Sequence, residues 1–397
     1  MKIFLGYKRK DNLVGIRNYV AVLPTIGCAN EIAVKISQSV PGTIPLPHNH
    51  ACIRLGKDAD RARKTLVGIG QNPNLHSVLI VGLGCEPIHA RVLTEEISQV
   101  NPNVRYVSLD ECSNYETLVK KGSQLLNEML VRANLERRVP CNISQLIIGI
   151  KCGGSGTVSA ISSNASVGYA ADLVIKNGGT VIFSETAEII GAEHVLAKRA
   201  CSEQVRCALF SAISSMEERI EEYGIDILGS EPTQGNIMNG LTTIEEKSLG
   251  AVIKSGTSPL QGVLQYAQAP SGAGLYFMDG TTQASQLFLG MAAAGAQLQL
   301  FSFGNGLPVR FRGLPSYPPG LIMMPVLKVL GSCEDDDEKE YFDIYAGNIL
   351  KAKESVQSVG SALFNTIIDT ASGKETITER RSEYHEMLQL YADGLLM

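Results

Sequence analysis

Short aliphatic and β-branched runs, each followed by a longer stretch of helical periodicity, constrain this chain more than any other feature. Tyr19–Leu23 precedes a helical pattern that extends to Gln38, and Val78–Leu83 precedes one that begins near His89. A strand over Val104–Leu109 leads into an amphipathic stretch from Tyr115 to Leu135. Runs this short and this apolar suit strands buried on both faces, as parallel strands are when helices cover them. The alternation resumes with a strand over Leu146–Ile150, a helix over Asn164–Asn177 and a strand over Thr180–Phe183. Helical pattern dominates 192–223, a Gly- and Ser-rich region follows over 229–240, and Thr243–Lys254 is helical again. Strands near Leu275, Leu298 and Met323 precede two C-terminal helices. The expected fold is α/β, with open, mostly parallel sheets and flanking helices in two or three Rossmann-like domains. At 397 residues the chain exceeds one ordinary core, and its blocks are expected at 1–140, 141–235 and 236–397.

Charge and hydropathy remove several function classes. A net charge of −5 with scattered positive residues leaves no electrostatic footprint for nucleic acid. No apolar run approaches the roughly 20 residues of a membrane span, and the N-terminus lacks a signal-peptide pattern. A cytoplasmic location is therefore expected, where nine cysteines serve metal binding, catalysis or burial rather than disulfides. The acidic run Glu334–Glu338 reads as a solvated loop.

Ligands of open α/β sheets sit beyond the carboxyl ends of the strands, and four cysteines fall at such ends. Cys28 follows the first strand, Cys52 the short strand Thr43–Leu46, Cys85 the third and Cys152 the first strand of the second block. Thiolates suit iron or zinc, while the absence of CxxC spacing argues against a structural zinc finger. His48 and His50 bracket Asn49 just before Cys52, and neutral imidazole serves as a metal ligand or an acid–base group. Glu185 and Glu188 follow Phe183 and offer carboxylates to a cation or a proton. Arg17, Lys151 and Lys254 are candidate partners for a carboxylate substrate. Thr243 and Glu246 have the spacing of a capping box. Neither GxGxxG after a strand nor a phosphate-binding GxxxxGK[ST] occurs, which disfavours nucleotide cofactors.

Five ordered segments carry a resemblance. They are Gly6-Tyr7 through Val14-Gly15-Ile16-Arg17-Asn18-Tyr19, then Leu23–Cys28, Gly82–Glu86, Lys151–Ser155 and Thr242–Gly250. Together they resemble the catalytic region of the altronate and galactarate dehydratase family, and the large subunit of (2R)-sulfolactate sulfo-lyase is similar over the same region. The resemblance implies a hydro-lyase that eliminates water from a sugar acid or related 2-hydroxy acid to give a 2-keto acid. A carbon–sulfur lyase and a catalytically silent subunit are the alternatives.

It also implies a divalent metal, iron(II) or manganese(II), with an iron–sulfur cluster as the other form. His48, His50, Glu86 and Lys151 are then the expected catalytic residues, and Arg17, Asn18, Ser155 and Lys254 the substrate-binding ones. Cys52, Cys85, Cys152 and Glu185 are the expected metal ligands. The chain starts where the family's catalytic region does, so a separate small subunit of roughly 80–110 residues is an expected partner, beside a homo-oligomer.

The chain also departs from the family pattern. Gly156 stands where that pattern has Asp, Asn305 where it has Arg, and Ala51-Cys52-Ile53 where it has Gly-Cys-Gly. Arg310 is a candidate replacement for the missing cation.

Overall fold

The computed structural model describes residues 2–50, 52, 54–222, 224, 232–306, 320–384 and 387–392. Strands β1 (Ile3–Lys8), β2 (Val14–Gly15), β3 (Tyr19–Pro24), β4 (Ile44–Pro45), β5 (Leu75–Gly82), β6 (Val104–Ser108) and β7 (Val139–Asn142) form the first part. Strands β8 (Ile147–Gly153), β9 (Thr180–Phe183), β10 (Leu260–Leu264) and β11 (Gly274–Met278) follow. The last are β12 (Leu298–Asn305), β13 (Val326–Ser332) and β14 (Ile344–Tyr345).

They assemble into a four-stranded sheet of order β4-β3-β5-β6 and a seven-stranded sheet of order β10-β11-β9-β8-β12-β13-β14. Every pairing within these two sheets is parallel. A small antiparallel sheet, β2-β1-β7, ties the N-terminal strand to the segment between them. The strands expected from the sequence are present, and β5 is buried along its whole length, as its unbroken apolar run requires. The expected boundary near residue 235 falls inside the seven-stranded sheet. β8 and β9 from the second block share one sheet with β10 to β14 from the third. The helical pattern over 192–223 comprises the helices Glu193–Ala197 and Glu203–Glu222. Within the acidic run, Glu338 is buried rather than solvated and packs against Gly306.

The two parallel sheets are joined through their helices. Helix Gly56–Gln71 of the first lobe lies against helix Ala284–Ala293 of the second, and Gly68 meets the Ala293 carbonyl too closely for any side chain. Buried Asn72 donates to the carbonyls of Ala292 (2.7 Å) and Ala296 (2.9 Å), and Asn74 to those of Gln297 (2.8 Å) and Met323 (3.2 Å). One apolar cluster crosses the joint, with Leu66 and Ile97 on one side and Phe288 and Met291 on the other. Among the described residues no helix is long and apolar enough to cross a membrane.

Candidate active site

Parallel order places β11, β9, β8 and β12 side by side, so the residues that follow them share one edge. β8 delivers Lys151 and Cys152, the turn after β9 delivers Glu185 and Glu188, and the loop after β11 delivers Asp279 to Thr282. Lys254 reaches the same point from the 3-10 turn Ile253–Ser255 that follows helix Ile244–Val252. That helix is capped by Thr243, which accepts from Glu246 N at 3.2 Å, while the Glu246 carboxylate turns back to Thr242.

Glu185 is the hub. Its backbone adopts φ 82 and ψ 65, a left-handed conformation that costs a non-glycine residue energy and persists only where the surroundings enforce it. Its carboxylate pairs with Lys151 through Oε1 and with Lys254 Nζ through Oε2 at 2.6 Å. Oε2 also accepts from Cys152 N at 3.1 Å. Lys151 donates in addition to the Thr282 carbonyl at 2.6 Å. Lys254 and Glu185 are completely buried.

Glu188 completes the group, with Lys247 Nζ 3.9 Å and Lys254 Nζ 4.0 Å from its oxygens. Burial pulls the Glu185 carboxyl up, but Lys151 and Lys254 outweigh it and hold Glu185 ionised. Burial also raises Glu188, and the neighbouring Glu185 charge adds to that rise. Burial works to lower Lys254, yet the charges of Glu185 and Glu188 beside it and its contact with Cys152 Sγ more than compensate and keep it an ammonium.

Cys152 Sγ, Glu185 and Glu188 offer ligand atoms that all lie within 4.8 Å of one another, a group that could hold a metal ion. One sulfur and two carboxylate oxygens suit a divalent ion by type. Their space is taken, however: Lys254 Nζ is 3.0 Å from Cys152 Sγ and 2.6 Å from Glu185 Oε2. An ion at this point and that ammonium exclude one another. Burial followed by the Glu185 charge pushes the Cys152 thiol up to about 12, so it is held protonated. The cluster as it stands is charge-compensated without an ion.

The second carboxyl edge belongs to the four-stranded sheet. His48 is fully buried and its Nε2 lies 2.6 Å from the Pro24 carbonyl. Burial pushes its imidazole down to about 4. His50 is also buried, and both of its ring nitrogens lack a hydrogen-bond partner among the described residues. Burial and the nearby Arg54 charge push it down to about 4 as well. Glu86 Oε2 accepts from the amides of Leu83 (3.0 Å) and Gly84 (2.7 Å), while its buried Oε1 has no partner among the described residues.

A cleft of about 180 Å³ is lined by Lys57, Arg61, Lys64, Arg219, Asp279 and Tyr391 among others, and the loop after β11 reaches it through Asp279 and Gly280. Arg54 Nη1 donates to the Tyr391 carbonyl at 3.3 Å, and the Tyr391 ring packs on Tyr266, centroids 5.2 Å apart. Tyr266 in turn borders Gly280, the residue after Asp279.

The structure divides the sequence candidates. Lys151, Cys152, Glu185 and Lys254 come together, and Glu188 and Lys247 join them. Cys52 and Cys85 are exposed and belong to the other edge, so the expected four-ligand metal set does not assemble.

Arg17 and Asn18 are engaged elsewhere. The Arg17 guanidinium forks onto Glu379 at 2.6 and 2.7 Å and fills its remaining donors with the carbonyls of Ile16, Thr370 and Lys374. Asn18 bridges Arg9 and the Ala133 carbonyl. Both are structural here, which corrects the substrate-binding expectation. Ser155 is buried, and its carbonyl accepts from Asn236.

A Cβ at Gly156 would meet Asn239 Cβ at 2.8 Å and the Asn239 carbonyl at 2.9 Å, so the space for a carboxylate is filled. Asn305 donates to the Asn239 side chain at 2.8 Å. The two departures from the dehydratase pattern thus meet at one residue. Arg310, Ala51 and Ile53 lie outside the described residues.

Residues 143–394 match the family described as D-galactarate/Altronate dehydratase, C-terminal, and residues 6–134 match D-galactarate dehydratase/Altronate hydrolase, second domain. The chain belongs to the D-galactarate/altronate dehydratase family. It is 33% identical to the (2R)-sulfolactate sulfo-lyase subunit beta of Chromohalobacter salexigens over 95% of each chain. The Escherichia coli altronate dehydratase is 29% identical over 98% of this chain and 78% of its own length. The Escherichia coli galactarate dehydratase (L-threo-forming) is 30% identical over 98% and 76%. The enzyme class of these dehydratase relatives, carbon–oxygen lyase, is the one expected from the sequence. Family membership places the Lys151–Glu185–Lys254 cluster in the matched C-terminal part and the His48, His50 and Glu86 edge in the second domain.

Proposed function

We propose that this chain is a hydro-lyase that removes water from a sugar acid or related 2-hydroxy acid and releases a 2-keto acid. The observation that carries the reading is the buried Lys151–Glu185–Lys254 cluster at the strand ends of a dehydratase-family domain. β-Elimination next to a carboxylate builds negative charge on that carboxylate, and two ammonium groups fixed in a dry site stabilise such charge without reorganising. Lys57, Arg61, Lys64 and Arg219 line the cleft through which an anionic substrate would enter. The neutral imidazole of His50 or the carboxylate of Glu86 would accept the proton. Iron is the cofactor we propose, and when bound it supplies Lewis-acid polarisation of the departing hydroxyl.

The test is a screen of sugar acids and 2-hydroxy acids for 2-keto acid formation by the iron-loaded chain. A broad panel without any keto acid product would sink the reading. A second reading, carbon–sulfur cleavage, is favoured by the 33% identity to the sulfo-lyase subunit over 95% of both chains. Sulfite release from (2R)-sulfolactate would mark it. That relative is a subunit, and we extend the same arrangement to this chain: activity is expected to rise when a small partner subunit is added.

A further inference from the structure

The loop that carries the two buried histidines is held from both sides. It continues β4, the outer strand of the four-stranded sheet, so one row of its backbone groups faces away from β3. The β3 side takes the histidines. Asn30 Nδ2 donates to the His48 carbonyl at 2.9 Å, Asn30 Oδ1 accepts from His48 N at 3.1 Å, and Gly27 N donates to the His50 carbonyl at 2.8 Å. The other side is taken by residues 387–392, from the far part of the chain. Leu388 N donates to the Pro47 carbonyl at 2.7 Å, and Asn49 N to the Leu388 carbonyl at 3.2 Å. The Asn49 side chain completes the join, accepting from Leu390 N at 2.8 Å and donating to Gln389 Oε1 at 3.1 Å. Successive residues of an extended chain face opposite ways, so the histidines turn to one side and Asn49 to the other.

The same segment reaches the cationic cleft. Leu388 and Leu390 are buried in the apolar cluster that spans the two lobes, and the preceding Glu383 pairs with buried Lys328 of β13. Tyr391 then meets three arginines. Its carbonyl accepts from Arg54 at 3.3 Å, its hydroxyl accepts from Arg219 at 3.3 Å, and the Arg61 guanidinium lies 4.6 Å from its ring centroid. Arg61 and Arg219 line the cleft together with Tyr391.

We propose that Leu388–Tyr391 is a positioning element of the active site, with Asn49 and Tyr391 as its two points of action. Through Asn49 it keeps His50 at its buried place, and through Tyr391 it sets Arg61 and Arg219 to receive the anionic end of a substrate. The His50 ring makes no hydrogen bond among the described residues that would orient it, so its placement depends on how firmly its backbone is held. Two guanidinium groups seated on the face and the hydroxyl of one tyrosine are likewise fixed before an anion arrives. The inference rests on the lyase reading for what these groups do, and not for how they are fastened.

The experiment compares the full wild-type chain with Asn49→Ala, Asn49→Asp and Tyr391→Phe by hydrogen–deuterium exchange and by diethyl pyrocarbonate labelling of histidines. In Asn49→Ala, exchange over 46–50 and 387–392 should quicken roughly tenfold while exchange over β8 and β9 stays as in wild type. His50, labelled slowly in wild type, should gain roughly tenfold relative to the exposed His89. Asn49→Asp keeps the acceptor for Leu390 N and should stay near wild type in both readings. On a hydroxy acid that wild type turns over, Asn49→Ala should lose roughly 10- to 100-fold in kcat at little-changed KM. Tyr391→Phe, which removes the acceptor for Arg219, should raise KM roughly 3- to 10-fold with kcat kept.

Unchanged exchange and labelling in Asn49→Ala would overturn the proposal. Faster exchange with kcat and KM both kept would also overturn it, because the segment would then serve structure alone. An unchanged KM in Tyr391→Phe would overturn the role of Tyr391. The hydroxy-acid screen is read separately. A wild type that forms no keto acid sinks the lyase reading, and exchange and labelling then decide the fastening of His50 by themselves.

Discussion

At the edge of β8 and β9, Lys151, Glu185, Lys254 and Cys152 satisfy one another, whereas at the edge of β3, β4 and β5 the ring nitrogens of His50, Arg54 Nε and Glu86 Oε1 have no partner among the described residues. Both edges are carboxyl ends of parallel sheets. The large-sheet edge is a finished piece of protein electrostatics, preorganised and dry. The small-sheet edge carries buried donors and acceptors that are unsatisfied among the described residues. Self-satisfaction makes a side chain matter for stability and catalysis together, and incompleteness lets it matter for ligand binding alone.

The contrast breaks most visibly at Glu185. Glu185→Ala leaves two buried ammonium groups uncompensated, so chemical denaturation should show a loss of about 3–5 kcal/mol together with undetectable turnover. An unchanged unfolding midpoint would mean that the pairing is not formed. Next in size is Lys254→Met, which leaves Glu185 paired to Lys151. Stability should fall by roughly 1–3 kcal/mol and kcat by roughly 100- to 1000-fold with little change in KM. Equal effects on kcat and stability at Glu185 and Lys254 would show that the hub role is misassigned.

Acid titration separates the edges by pH window. His48, held at about 4 against an ordinary 6.5, takes up its proton more readily in the unfolded chain. Its contribution is therefore full above pH 6.5 and is lost as pH falls toward 4. His50 and Arg54 face it and oppose its charging. Glu185, held below its ordinary 4.5, gives up its share only under that pH. Unfolding measured between these limits should show a decline of roughly 1–3 kcal/mol that His48→Gln reduces, with His50 supplying the rest, and that Glu185→Gln leaves in place.

The smallest effect sharpens the picture from the other side. Cys85→Ser should move stability by less than about 0.5 kcal/mol, because the thiol is exposed. A larger loss would make Cys85 part of the packed structure.

Much of this could be read in the residues. β5 and β9 were visible as apolar runs, and Lys151-Cys152 and Glu185 drew notice because they follow strands. Lys254 was legible as a cation near those loops, though not as the occupant of the ion position. Other features depend on partners far along the chain. Arg17 read as a carboxylate receptor because Glu379, its partner, is 362 residues away and carries no local signal. Cys152 was grouped with Cys52 and Cys85 on motif order alone. Strand order, which no single sequence displays, puts Cys28, Cys52 and Cys85 on loops of the small sheet and Cys152 in the other sheet. The boundary near 235 misled for the same reason, since β12 returns to pair with β8 across more than a hundred intervening residues.

The central claim is β-elimination powered by the Lys151–Glu185–Lys254 cluster, and proton NMR of a turned-over hydroxy acid in deuterium oxide tests it most directly. The expected result is a 2-keto acid carrying deuterium at the carbon that lost the hydroxyl, formed by the iron-loaded wild type and abolished in Lys151→Met. Turnover retained in a well-folded Lys151→Met chain, or a product without that deuterium, would contradict it.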